Sequence, residues 1–157
     1  MTALIQSAGL RIAIVAFALL IAASPHLRAQ TQPPAQATGL STADATQVRS
    51  VVQGQLAAFA KDDANKAFSY AAPNVRKTFG TASTFLDMVR RGYPVVYRPA
   101  TVAFLTPDGA GNQAVQRVQM QDAAGNAYLA TYTLERQKNK VWRITGCQVT
   151  ANKGQTA

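Results

Sequence analysis

One change of period divides this chain. Between residues 41 and 92 the apolar side chains recur at spacings of three and four, and from residue 93 to 150 they alternate. A helical half followed by a strand half does not suit alternating βαβ units. It suits helices segregated to one face of an antiparallel sheet, which is the α+β class.

The helical half has readable punctuation. Ser41-Thr-Ala-Asp44 is a capping-box pattern with Asp44 in the place of Glu, and Val48, Val51, Val52, Leu56 and Phe59 then share one face. Asp62 or Asp63 caps a second helix through Ala64, Ala67, Phe68 and Ala71, ended near Pro73 because the residue before proline resists helical geometry. A helical turn over 74–79 stops at Gly80. Thr81 or Ser83 caps a third main helix carrying Phe85, Leu86, Met88 and Val89, which ends at Gly92. Strands are expected over 93–105, split at Pro99, and over 113–121, 127–136 and 141–150. Turns at Pro107-Asp108-Gly109, Ala124-Gly125-Asn126 and Lys138-Asn139 join them as antiparallel hairpins. Tyr128, Ala130, Tyr132 and Leu134 share one face; Thr131, Thr133 and Glu135 share the other. Trp142 and Ile144 lie opposite Arg143 and Thr145.

Ahead of this pattern stands an export signal. Arg11, the apolar run 12–23 and the short polar stretch 24–29 follow the n-, h- and c-region order of a signal peptide, with cleavage expected after Ala29. The run is shorter than the roughly 20 apolar residues of a membrane span, and an uncleaved anchor is the alternative. No cysteine near the cut offers a lipid attachment point. Residues 30–40, rich in Gln, Pro, Ala and Thr, read as a flexible leader; 41–152 form one domain and 153–157 a tail. The expected location is the periplasm or the medium, with no stable membrane span after cleavage.

Cleavage also removes Arg11, Arg28 and His26, the only histidine, leaving 14 basic and 7 acidic residues and a net charge of +7. Histidine-dependent triads and His-ligated zinc are thereby excluded. Cys147 stands alone, which excludes an internal disulfide and thiolate clusters, and its apolar strand setting predicts a small buried residue. No motif points to a metal or a cofactor. The basic residues, among them Arg76-Lys77, Arg90-Arg91, Arg98, Arg117 and Lys138, are dispersed, and export argues against nucleic acid as a partner.

The capped first helix, the stretch AFAKDDANKAFSYAAP, the helix FLDMVRRGY and the closing hairpin VWRITGCQV together resemble the nuclear transport factor 2-like (cystatin-like) superfamily. Within it the chain is most similar to the exported bacterial family called domain of unknown function 4864, over roughly residues 45–149. The resemblance implies a cone of three helices across a strongly curved antiparallel sheet, with a pocket between the layers and dimers formed through the open sheet face. Thr131, Thr133, Arg143 and Thr145 would lie on that face. It implies no particular activity, because the superfamily holds cofactor-free isomerases and lyases as well as binding modules.

An isomerase-like site needs a carboxylate and a tyrosine or neutral acid converging in an apolar pocket. Most carboxylates here occupy caps, turns or the wet sheet face; Asp87 and Asp63 are the candidates that remain, Asp87 within helical reach of Arg90 and Arg91. No catalytic pair is visible. Tyr70, Met88, Tyr97, Met120, Tyr128, Tyr132 and Trp142 are the candidate pocket lining, since aromatic and thioether side chains suit apolar ligands. The leading expectation is a non-enzymatic binding or accessory module of the cell envelope that meets a small apolar ligand or an envelope protein. The alternatives are a small cofactor-free isomerase or lyase, and a basic protein attached to anionic membrane or polymer. An enzyme calls for a buried carboxylate facing a tyrosine, a binding module for a cavity without one, and attachment for basic residues gathered on one face.

Overall fold

Ser41 sets the start of the first helix: its hydroxyl accepts the amide of Asp44 at 3.0 Å and satisfies a donor that has no partner within the helix. The computed structural model describes residues 39–152. The signal peptide expected over 1–29, the leader up to residue 38 and the tail 153–157 lie outside the described residues. Leu40, at the expected end of the leader, packs on the core.

Helix α1 (Thr42–Ala60) is followed by α2 (Ala64–Ser69), α3 (Pro73–Phe79), α4 (Ala82–Gly92) and α5 (Pro94–Tyr97). Asp63 caps α2 through the amide of Lys66 and Thr81 caps α4 through the amide of Thr84. Gly80 closes α3 at φ 71°, a left-handed conformation that costs glycine little. α1 buries Val48, Val52, Leu56 and Phe59, and Gln55 ties it to α2 by donating to the Ala67 carbonyl at 3.2 Å. Phe85 of α4 gathers Phe59, Phe68 and Phe79 around it, with ring centroids 5.4 to 5.9 Å apart.

The strands are β1 (Thr101–Phe104), β2 (Asp108–Ala110), β3 (Gln113–Gln121), β4 (Ala127–Arg136) and β5 (Trp142–Ala151). They form one antiparallel sheet in the order β1-β3-β4-β5, with β2 following β1 along the same edge of β3. The α2–α3 junction seals part of the opposite edge: Ile144 N donates to Tyr70 O at 2.9 Å and Ala72 N to Ile144 O at 2.8 Å. The inner face carries Ala114, Gln116, Val118 and Met120 of β3, and Ala130, Tyr132 and Leu134 of β4, all buried.

The α+β class is as expected from the sequence, and three details differ from it. Residues 93–105 are not one interrupted strand, because Pro94 at the first helical position starts the turn α5 and both Val95 and Val96 are buried. The three expected helices are α1, α2 and α4, the expected helical turn is α3, and α5 is the one helical segment not expected. Asp108 and Gly109 lie in β2 and the hairpin turn sits at Gly111-Asn112, where Gly111 takes φ 62°. Finally, the β4–β5 ladder slips between Thr133 and Leu134, so that Thr133 faces Gly146 while Leu134 faces Ile144. Thr145 is the extra residue of this bulge. Beyond it the alternation of β5 changes parity, which puts Cys147 opposite Tyr132 and Val149 opposite Ala130.

A neutral apolar cavity between helices and sheet

The parity change decides what stands under the helices. Gln116, Tyr132 and Cys147 form a row across β3, β4 and β5, each residue paired with the next across the ladder. Above part of this row the helices leave a cavity of about 240 Å³. α1 contributes Gln55 and Phe59, α3 Val75 and Phe79, and α4 Phe85, Met88 and Val89. Tyr93 and Val96 come from the α5 region, Ala71 from the α2–α3 junction, Tyr132 from β4 and residues 144–147 from β5. Val75, Phe79, Met88 and Tyr93 are half-buried and stand toward solvent, whereas Phe59 and Tyr132 are buried.

No charged side chain lines this cavity. The seven acidic residues all have other places. Asp44 accepts from the Trp142 indole at 3.0 Å, the Ser41 hydroxyl at 2.8 Å and the Arg136 guanidinium at 3.3 Å. Asp62, in left-handed backbone at φ 57°, accepts from the Tyr97 hydroxyl and pairs with Arg98 at 2.8 Å and Arg90 at 3.4 Å. Asp63 is a cap, Asp87 makes an exposed pair with Arg90 at 3.9 Å, and Asp108 accepts the Gly109 amide. Asp122 gathers the amides of Ala124 and Asn126 in its turn, and Glu135 is exposed. Asp63 and Asp87, the two carboxylates considered for catalysis, therefore meet no tyrosine in this cavity. Among the described residues no cluster of three His, Cys, Asp or Glu side chains could hold a metal ion.

Polar chemistry on the wall is sparse and neutral. Tyr132 is fully buried and its hydroxyl has no hydrogen-bond partner among the described residues. Cys147 is its neighbour across the ladder, close enough for each to affect the other's titration. Burial first, and the adjacent thiol second, push the Tyr132 phenol well above its ordinary range. Burial pushes the Cys147 thiol up to about 12, with the Tyr132 hydroxyl acting in the opposite direction. Both groups stay protonated at neutral pH. The other buried side-chain atom without a partner is Oε1 of Gln116, the cross-strand neighbour of Tyr132. Gln116 spends its amide nitrogen on the carbonyls of Leu105 and Arg117 at 2.7 and 2.8 Å.

Of the seven side chains expected to line a pocket, Met88 and Tyr132 meet in this cavity. Trp142 is buried and committed to Asp44, and Tyr97 lies under the guanidinium groups of Arg90 and Arg98, 5.2 and 5.0 Å from its ring centre. Tyr70 packs against α1 at Gly54. Met120 and Tyr128 border a separate hollow with Val102, and the Tyr128 hydroxyl donates to Asp122 at 3.2 Å. The wall residues not singled out from the sequence, chiefly Val75, Phe79, Val89, Ile144 and Cys147, carry no signal beyond apolarity. For Cys147 the relevant signal was the bulge, which strict alternation from Trp142 hides.

Helices laid on one face of a bulged antiparallel sheet, with a hollow between the layers, are similar in fold to the NTF-2-like proteins. A crystal structure of an NTF-2 like protein of unknown function from Silicibacter pomeroyi DSS-3 superposes with a TM-score of 0.51 and 16% sequence identity, covering 71% of this chain and 99% of that chain. Residues 41–157 match the family described as Domain of unknown function (DUF4864), and the chain belongs to that family. No functionally curated protein matches it.

Proposed function

We propose that this is an exported, non-enzymatic binding module that holds a small apolar molecule between its helices and its sheet. The observation that carries the reading is the cavity itself: about 240 Å³, walled by aliphatic, aromatic and thioether side chains and free of charge. A cavity of about 150 Å³ accepts benzene, so this one has room for a single ring with a short substituent. The isomerase or lyase alternative lacks support in the cavity, where Tyr132 meets no carboxylate. Attachment to anionic polymers has no dense basic run to carry it, since the Lys and Arg residues are dispersed along the chain. Export rests on residues 1–29.

The test is a titration of the mature domain with ethylbenzene and indole, followed by backbone amide shifts. Saturable shifts should cluster at residues 144–147 and along α4. Val75→Trp, on a helix that buries none of its residues, should plug the mouth and weaken binding at least about tenfold without altering the fold. Absence of saturable binding, or equal binding by the plugged variant, would count against the proposal.

A further inference from the structure

Three elements border the solvent side of the cavity, and two of them are fixed. On the β5 side Gly146 and Cys147 are held in the ladder opposite Thr133 and Tyr132. On the α4 side Met88 belongs to a helix that buries Phe85, Leu86 and Val89, and Arg90 near its end pairs with Asp62 at 3.4 Å. The third element is α3, which puts Val75 and Phe79 on the wall and buries none of its residues. Its one side-chain hydrogen bond, from the Thr78 hydroxyl to the Asn74 carbonyl at 3.0 Å, stays inside the helix. Among the described residues neither Arg76 nor Lys77 makes an ion pair. Phe79 supplies the aromatic hold on α4, edge-on to Phe85 with ring centroids 5.4 Å apart.

We infer that α3 is the lid of the cavity: it swings away from α4 to admit a ligand, and Val75 and Phe79 close over the ligand afterwards. The inference rests on the cavity reading proposed above and adds the control of access to it. Phe59 and Ala71 line the cavity yet are at most 1% exposed, so solvent barely reaches the inner wall and a ligand that seats there needs an element to move. Both ends of α3 suit a hinged segment. Ahead of it Ala71 and Ala72 are buried, and the Ala72 amide donates to the Ile144 carbonyl at 2.8 Å, which pins the chain to β5 just before Pro73. Behind it Gly80 takes φ 71°, and with no Cβ it can exchange that conformation for others at little cost. Thr81 caps α4 by accepting the Thr84 amide at 3.1 Å, so the start of α4 is held whether or not α3 is in place. Moving α3 outward uncovers two half-buried side chains and breaks no side-chain hydrogen bond to another element. Moving α4 would pull three buried side chains from the core and break an ion pair. Lids are drawn from the weakly held elements of a fold, and at this mouth that element is α3.

The test is the rate of ligand entry, measured by temperature-jump relaxation of the mature protein with indole and with 5-methylindole and followed by fluorescence. Entry through a lid can be no faster than its opening, so the observed rate should level off as ligand concentration rises, at the same plateau for both ligands. Phe79→Ala removes the hold on Phe85 and should raise that plateau about tenfold or more. Met88→Ala truncates a side chain on the fixed side of the same mouth, and should weaken binding while leaving the plateau within about twofold. A role in lining alone would make the two variants behave alike. Binding whose rate rises linearly with concentration throughout, or a plateau that differs between the two ligands, would overturn the lid and leave the cavity reading standing. So would a plateau that Phe79→Ala leaves unchanged or that Met88→Ala raises equally. Failure of indole, 5-methylindole and ethylbenzene to bind would remove both readings.

Discussion

Asp44 does two things that its place in a helix cap does not require. It starts from the first turn of α1, where a negative charge is favoured, and reaches across to the Trp142 indole and the Arg136 guanidinium at the β4–β5 hairpin end. The indole, then the Ser41 hydroxyl, then Arg136 hold its carboxyl below the ordinary 3.8. The Asp62 carboxyl is held low first by Tyr97 and then by Arg98 and Arg90, and that of Asp122 first by Asn126. A depressed folded-state pKa means that the unfolded chain takes up protons first on acidification. The stability these groups contribute is complete above the unfolded value near 3.8 and is lost as pH falls through it toward the folded values. Melting temperatures followed by circular dichroism should thus be flat from pH 7 to about 5 and fall steeply below about 4. Asp44→Asn should melt lower at pH 7 and show a shallower acid decline; an unchanged decline would mean that Asp44 is not part of it.

At the scale of elements, α1 and α2 are joined by a close approach rather than by area alone. Gly54 lies in the middle of α1, where alanine would ordinarily gain about 1 kcal/mol of helix stability. A Cβ there would occupy the space of the Tyr70 hydroxyl and ring carbons, and Tyr70 is further held under Lys66 at 5.5 Å. Forcing the ring aside costs about 1–3 kcal/mol by the usual price of overpacking. Gly54→Ala should therefore fail to stabilise the protein in urea unfolding, and should stabilise it by about 1 kcal/mol once Tyr70→Ala has cleared the space. An equal effect in both backgrounds would show that Tyr70 does not constrain the site. The same packing explains why Tyr70, a candidate for the pocket on aromatic character, faces a helix instead.

For the whole molecule, the disposition of charge and polarity matters more than any single group. Acidic residues serve as caps, turn braces and clamps at the periphery, which leaves the space between the layers neutral. Such an interior favours transfer of apolar solutes from water and disfavours ionic ones. Export is the other property of the chain as a whole. Expression of the full sequence in a bacterium should yield a product beginning near Gln30 in the periplasmic or medium fraction, read by intact mass. A membrane-bound product of full mass would favour the uncleaved anchor.

Local chemistry made most elements legible in advance. Ser41, Asp63, Thr81 and Gly80 act on their own neighbours in the chain, so capping and termination were visible before any tertiary contact. The α+β class followed from the change of period in the same way. The turn at Pro94 was read as strand because valines and a tyrosine satisfy strand propensity, while the burial of both Val95 and Val96 under the helices made a helical turn the better packing. The cavity was legible only in part, through Met88 and Tyr132. Its remaining wall depends on how far α3 and α4 stand from the sheet, and the position of Cys147 depends on one extra residue at Thr145. A bulge leaves almost no mark on composition or spacing, yet it reverses the facing of every residue after it. The sequence by itself determined the helical half, the strand half and the caps of the main helices, since those are local preferences. Only the tertiary structure decided which side chains share an interior, because that is a property of register and packing between distant segments.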